Sequence, residues 1–398
     1  MPSILSHLRY SARQLLKAPG FTITAILILG FGIGANTAIF SLINTVLLQP
    51  LPYSHPERLV KVVLSYQDSW SNDVDYPDYL DLVAAQTAFD NIAVSHGEPL
   101  DLTGSGESQR LSVDFVSPSL FALTGRAAIL GRTFNQQEDI PHGPLLAVIG
   151  ERFWRSHFNA DLNVIGKRLT LSEQSFEIIG VVPAQMDLGG SQPTDVYLPA
   201  NSIAFFSLPI DDPQMSRAAR TWHIFGCVGR LKAGVSIAQA QAQLEIIYKG
   251  LIDRYPDTDK GYKVRLIPLL DDVVGDYSGT VWLLGAAVGV LLLIAAANVA
   301  NLLFVRGLER RRELAIRAAI GATRSRLIAQ LLLETGLLSL FGGIAGLGFA
   351  LGSIEIIKKL SPPEVYRLQE IRIEPAALLF VAAVIVLVAF LSGLTPAP

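Results

Sequence analysis

Four stretches of the chain carry no charged side chain: between Lys17 and Glu57, between Asp276 and Arg306, between Glu334 and Glu355, and after Glu374. Each reaches or exceeds the roughly 20 apolar residues that a helix needs to cross about 30 Å of hydrocarbon. Backbone N–H and C=O groups must pair internally in lipid, so the pattern predicts spanning helices over 21–48, 281–305, 327–357 and 375–394. The first and third are long enough to tilt or to project beyond the bilayer.

Between the first two spans, over 49–280, the pattern changes, and this segment is long enough to bury its own core. "RLVKVVLSY" (58–66) is rich in β-branched residues, "PLLAVIG" (144–150) reads as a buried strand, and "RLTLSEQSFEIIGVVP" (168–183) reads as a hairpin around a polar turn. "WHIFGCVGRL" (222–231) and "YKVRLIP" (262–268) are two more strands. Between them Ser236 and Gln239 have capping-box spacing, and Ile237, Ala240, Leu244, Ile247 and Leu251 recur at helical spacing. Strand, helix, strand predicts an α+β domain built from both ends of the segment, with a β-rich insertion at about 131–220 bounded by Pro- and Gly-rich punctuation.

Composition supports a membrane protein: 50% of the residues are hydrophobic and 17% charged, where soluble domains carry about a quarter charged. Orientation follows from the basic flanks. Arg9, Arg13 and Lys17 precede the first span, and 306–326 holds seven arginines against Glu309 and Glu313, so both segments belong in the cytoplasm and 49–280 outside. The outer loop 358–374, with Lys358, Lys359, Arg367 and Arg372, runs against the rule. Apolar residues continue through 39–48 and no A-x-A site closes a short apolar region, so the first span is expected to be an uncleaved anchor. Within 1–20, Leu5, Leu8, Ala12 and Leu15 repeat opposite Arg9, Arg13 and Lys17. This is an amphipathic helix for the anionic inner leaflet, or simply charge that sets topology.

Inside the spans, small residues and two carboxylates stand out. Gly30, Gly32 and Ala35 match the outline of a dinucleotide loop, but that site needs an acid about 20 residues on, and the next acid is Glu57. The informative spacing is Gly30, Gly34 and Ala38, with Thr37, Ser41 and Asn44 as an adjoining polar stripe. In the third span Gly342 with Gly346, and Gly348 with Gly352, form two G-x-x-x-G pairs. Glu334 lies about two turns inside that span and Glu355 near its outer end. Each is a functional candidate by its depth, although a position away from the midplane favours an interfacial or arginine-paired role over a proton relay.

Catalytic chemistry is not expected. The six histidines are scattered with no H-E-x-x-H, so neither zinc nor another metal is expected. "TGSGES" (103–108) has the wrong order for a nucleophile elbow and reads as a hairpin turn. "DLNVIGKRL" fails as a phosphate loop at Asp161 and Arg168. The single cysteine, Cys227, excludes an internal disulfide, and a net charge of −3 offers nothing to nucleic acid.

"NVANLLFVRGLERRRELAIRAAIGATRSRLIAQLLLETGLLSLFGGIAG" (298–346) resembles the second span, cytoplasmic helix and third span of the MacB/FtsX permease family. "LRYSARQLLKAPGFTITAILILGFGIGANTAIFSLINTVLLQPLPY" looks like the start of the same family, particularly its acidobacterial-type duplicated permeases. "VSPSLFALTGRAAILGRTF" (116–134) and "VIGERFWRSHF…VIGKRLTL…FEIIGVVP" resemble its periplasmic core domain.

The resemblance implies four transmembrane helices and a MacB-like periplasmic core, located in the bacterial cytoplasmic membrane. It implies a homodimer or pairing with a second permease half, contact with membrane lipid, a periplasmic adaptor, and a cytoplasmic ABC ATPase that supplies ATP and Mg chemistry from outside this chain. Glu309, Arg310, Arg311, Arg312, Glu313, Arg317 and Gly321 would then form the ATPase-coupling helix, with Glu313 one turn before Arg317 and Gly321 as its stop. The same arginines serve topology in any case. The macrolide exporter carries a fused ATPase and the duplicated permeases carry a second half, and neither is found in this sequence. One half of a longer design, a truncated frame and a dimerising half-unit all remain open. The functional expectation is a permease that transmits ATPase motion to its periplasmic domain, against a scaffold that activates an envelope hydrolase or an orphan permease without an ATPase.

Overall fold

The computed structural model describes residues 13, 15–66, 69–71, 73–103, 109–141, 143–183, 186, 188, 193–206, 220, 222–309, 324–360 and 371–394. Two compact units divide the chain: 1–49 with 276–398, and 50–275. In chain order the helices are α1 (Pro19–Ile43), α2 (Tyr76–Ala85), α3 (Ser119–Thr124), α4 (Glu151–His157), α5 (Ile237–Arg254), α6 (Leu269–Glu309), α7 (Arg324–Leu360) and α8 (Pro375–Leu394).

In the unit 50–275, twelve strands among the described residues form one sheet. They are β1 (Leu59–Tyr66), β2 (Ser69–Ser71), β3 (Asp73–Val74), β4 (Phe89–Thr103), β5 (Gln109–Val116), β6 (Leu130–Gly131), β7 (Leu146–Gly150), β8 (Arg168–Leu171), β9 (Gln174–Val182), β10 (Val196–Pro199), β11 (Phe225–Leu231) and β12 (Tyr262–Pro268). The order is β12-β1-β11-β4-β5-β10-β7-β9-β6. Strands from both ends of the segment therefore lie side by side: β1 pairs antiparallel with both β11 and β12. The strands of 131–220 extend this same sheet through parallel pairs, β10 with β5 and β7 with β9.

Alternation along the strands sorts the core into two layers. Ala147 and Ile149 join Val60, Val62, Phe115, Phe176 and Phe225 in the larger cluster, whereas Leu146 and Val148 join Leu59, Val116, Phe121 and Tyr197 in the smaller. Helix α5 covers the larger layer with Ala240, Leu244, Tyr248 and Leu251. Its start is fixed by a complete capping box between Ser236 and Gln239. Lys61 reaches Asp272 in the first turn of α6 at 2.8 Å, which ties that turn to β1.

In the other unit three helical segments are long and apolar enough to cross a membrane among the described residues: Pro19–Leu48, Ser278–Leu302 and Thr335–Leu360. A shorter apolar segment runs over Pro375–Leu387 in α8. The first segment continues past α1 as a π-helical turn, Asn44–Leu48. It is the most buried of the three and Ser278–Leu302 is the least.

Candidate functional site: the seam between the first and third spans

The backbones of α1 and α7 approach each other because glycines of both helices stand at the contact. A Cβ added at Gly34 would sit 2.6 Å from the Gly346 carbonyl oxygen and 2.9 Å from the Phe349 ring. One at Gly30 would meet the Ala345 Cβ at 3.1 Å, one at Gly342 the Leu29 Cβ at 2.6 Å, and one at Gly346 the Gly30 carbonyl oxygen at 3.0 Å. Gly30 and Gly34 thus interdigitate with Gly342 and Gly346, which gives the close approach that small residues four apart allow in lipid. Ala38 is buried further along, in a cluster with Leu42, Val46, Ala350, Ile354 and Ile371. Phe31 and Phe349 close one edge, their ring centroids 5.0 Å apart.

Gly348 and Gly352 do not belong to this seam. They are exposed, and a Cβ at either would meet nothing within 4 Å among the described residues. A helix turns about 100° per residue, so stepping two positions on from Gly346 turns a residue to the opposite side. The two G-x-x-x-G pairs therefore point in different directions.

Hydrogen bonding across the seam also departs from the polar stripe read from the sequence. Thr37 donates back to the Ile33 carbonyl of its own helix at 2.7 Å, and the buried Ser41 hydroxyl has no hydrogen-bond partner among the described residues. Asn44 reaches Glu374, just before α8, at 3.3 Å. The interhelical bond that sequence reasoning missed belongs to Asn36, whose amide donates to Gly32 of α1 and to Val288 of α6, both at 2.9 Å. Its signal was available, since an amide inside an apolar span must find an acceptor. Beside it a Cβ on Gly32 would stand 3.0 Å from the Ala295 Cβ, so α6 also comes close to α1.

Glu355 is exposed near the end of α7, and for Glu334 only its place within α7 is described. Glu309 is the last described residue of α6. Arg310, Arg311, Arg312, Glu313, Arg317 and Gly321 lie outside the described residues, as do residues 1–12 of the N-terminal amphipathic segment.

The other unit holds two buried polar groupings that have no signature in the sequence. In one, the Tyr76 hydroxyl donates to Asp139 at 3.2 Å, and Asn201 donates to the same carboxylate from its backbone N–H at 2.8 Å. Burial raises the Asp139 carboxyl above its ordinary range. In the other, Arg220 donates to Asp78 and, at 2.7 Å, to Asp81, while its guanidinium stacks 3.7 Å over the Tyr255 ring.

Together these features define an integral membrane protein with close-packed spans and a large α+β domain between the first two. Residues 22–247 match the MacB-like periplasmic core domain and 285–398 the FtsX-like permease C-terminal region, and the chain belongs to this MacB/FtsX family of ABC transporter permeases. Family membership locates it in the bacterial cytoplasmic membrane with a periplasmic domain. "Macrolide export ATP-binding/permease protein MacB 2" of Aeromonas hydrophila is 27% identical over 278 residues, covering 68% of this chain and 40% of its own length. "Macrolide export ATP-binding/permease protein MacB" of Psychrobacter arcticus is 22% identical over 371 residues, or 90% of this chain and 52% of its own. The "Uncharacterized ABC transporter permease YknZ" of Bacillus subtilis is 25% identical over 233 residues, or 58% and 54%. The chain thus spans about half the length, or less, of these relatives.

Proposed function

We propose that this chain is the permease subunit of an ATP-driven export or mechanotransmission system and that it transmits the motion of an ATPase to its periplasmic domain. The observation that carries the reading is the pairing, in one chain, of a periplasmic core over 22–247 with a permease region over 285–398. The glycine seam supports it, since helices in backbone contact move as one body more readily than helices separated by long side chains.

In this reading α8 is a fourth span, and Glu309, Arg310, Arg311, Arg312, Glu313, Arg317 and Gly321 form the segment that touches a cytoplasmic ABC ATPase. The chain supplies no catalytic residue, and ATP and Mg act in that partner. A second permease copy or half completes the membrane unit, lipid surrounds it, and a periplasmic adaptor receives the cargo, which is a drug-like molecule, peptide or lipoprotein.

Charge reversal tests the docking segment. Arg311→Glu with Arg312→Glu abolishes co-purification of the co-expressed ATPase without altering membrane orientation, as read by site-directed labelling. Retained ATPase binding contradicts the assignment.

A further inference from the structure

An acidic grouping in the periplasmic domain takes no part in the seam or the coupling segment. Asp75 caps α2, its Oδ1 accepting from the Asp78 N–H at 2.7 Å, and Asp259 comes from the loop after α5. One carboxylate oxygen from each of Asp75, Asp78 and Asp259 lies within 4.8 Å of the other two. The three residues are buried, with exposures of 0%, 1% and 2%. Arg220 answers Asp78 and Asp81, and His223 Nε2 stands 3.6 Å from Asp75 Oδ2. Among the described residues, Arg220 is the permanent cation that pairs with these carboxylates, at Asp78 and Asp81.

Clustered charge alone does not make a site, but buried oxygens of this grouping also stand unpaired. Among the described residues both carboxylate oxygens of Asp259, with Thr258 beside them, and Oδ2 of Asp75 are buried without a hydrogen bond of good geometry. The Tyr248 hydroxyl, on α5, is likewise buried and unpartnered, and it lies within the field of Asp78, Asp75 and Asp259. A buried oxygen with no donor is costly, and several within one acidic grouping indicate an electrophilic partner.

We propose that Asp75, Asp78 and Asp259 hold a calcium-type divalent cation beside Tyr248, pinning the start of α2 to the loop that follows α5. The donor set is all oxygen, which suits a hard cation with a flexible coordination shell and not zinc, which prefers nitrogen and sulfur. This departs from the absence of a metal expected from the sequence, because the ligands come from two segments far apart in the chain, Asp75 with Asp78 at the start of α2 and Asp259 after α5.

The test uses the full chain in a neutral detergent after EDTA treatment. Added CaCl2 raises the Tm saturably, and Tb3+ gives tyrosine-sensitised luminescence that Ca2+ displaces. Asp259→Asn weakens Ca2+ binding at least tenfold, and Tyr248→Phe, which removes only the hydroxyl, lowers the Tb3+ signal while leaving the fold intact. The proposal is overturned if the wild-type protein shows neither a Ca2+-dependent Tm shift nor a Tb3+ signal. It is also overturned if a folded Asp259→Asn variant responds to Ca2+ as the wild type does, since binding then lies elsewhere. If Asp259→Asn does not fold, the wild-type and Tyr248→Phe signals decide the question in the same way.

Discussion

Between α1 and α7 the contact is made by what is missing: at Gly34 even one methyl carbon would lie 2.6 Å from the backbone of the facing helix. In the periplasmic sheet the contact is made by what is present, with Phe115, Phe176 and Phe225 fully buried in the larger layer of the core. Water drives the second arrangement, because burying large apolar side chains removes them from solvent. Lipid is as apolar as leucine, so in the membrane that drive is absent, and van der Waals contact between smooth helix faces takes its place. Truncation should therefore harm the sheet and enlargement should harm the seam.

The largest effect is expected from Phe115→Ala, which leaves a hole in a layer with no solvent access. It should cost about 3–5 kcal/mol in urea unfolding of the purified chain followed by tryptophan fluorescence. A loss below 1 kcal/mol would mean that the sheet repacks freely. Gly34→Leu comes next, at about 1–3 kcal/mol, read as a lower thermal midpoint in detergent and weaker disulfide trapping between α1 and α7. Unchanged trapping would count against the seam. Ser236→Ala removes the cap of α5 and should cost about 1 kcal/mol in the same urea series. The smallest effect is expected at Gly348, where a leucine meets open space and should change stability by less than about 0.5 kcal/mol. A loss as large as that at Gly34 would show that this face is packed as well.

The sequence made these two regions legible to different degrees. Charge-free stretches located the apolar helices because lipid excludes charge along a whole span. The capping box at Ser236 and Gln239 marked the start of α5 because both partners lie within one turn. Spacing in α7 revealed four glycines, but it could not say which pair meets a partner, since that depends on the facing helix. The placement of β10 between β5 and β7, and the convergence of Asp75, Asp78 and Asp259, were invisible for the same reason. Both are set by chain crossings over long separations, which local pattern does not record.

The most direct measurement of the functional account is ATP hydrolysis. The permease is reconstituted in nanodiscs with a candidate partner ABC ATPase, and turnover is compared with that of the ATPase alone and with the Arg311→Glu, Arg312→Glu variant. The account predicts stable association and a severalfold rise in hydrolysis that the variant loses. An ATPase that neither binds the wild-type chain nor changes its turnover would contradict it.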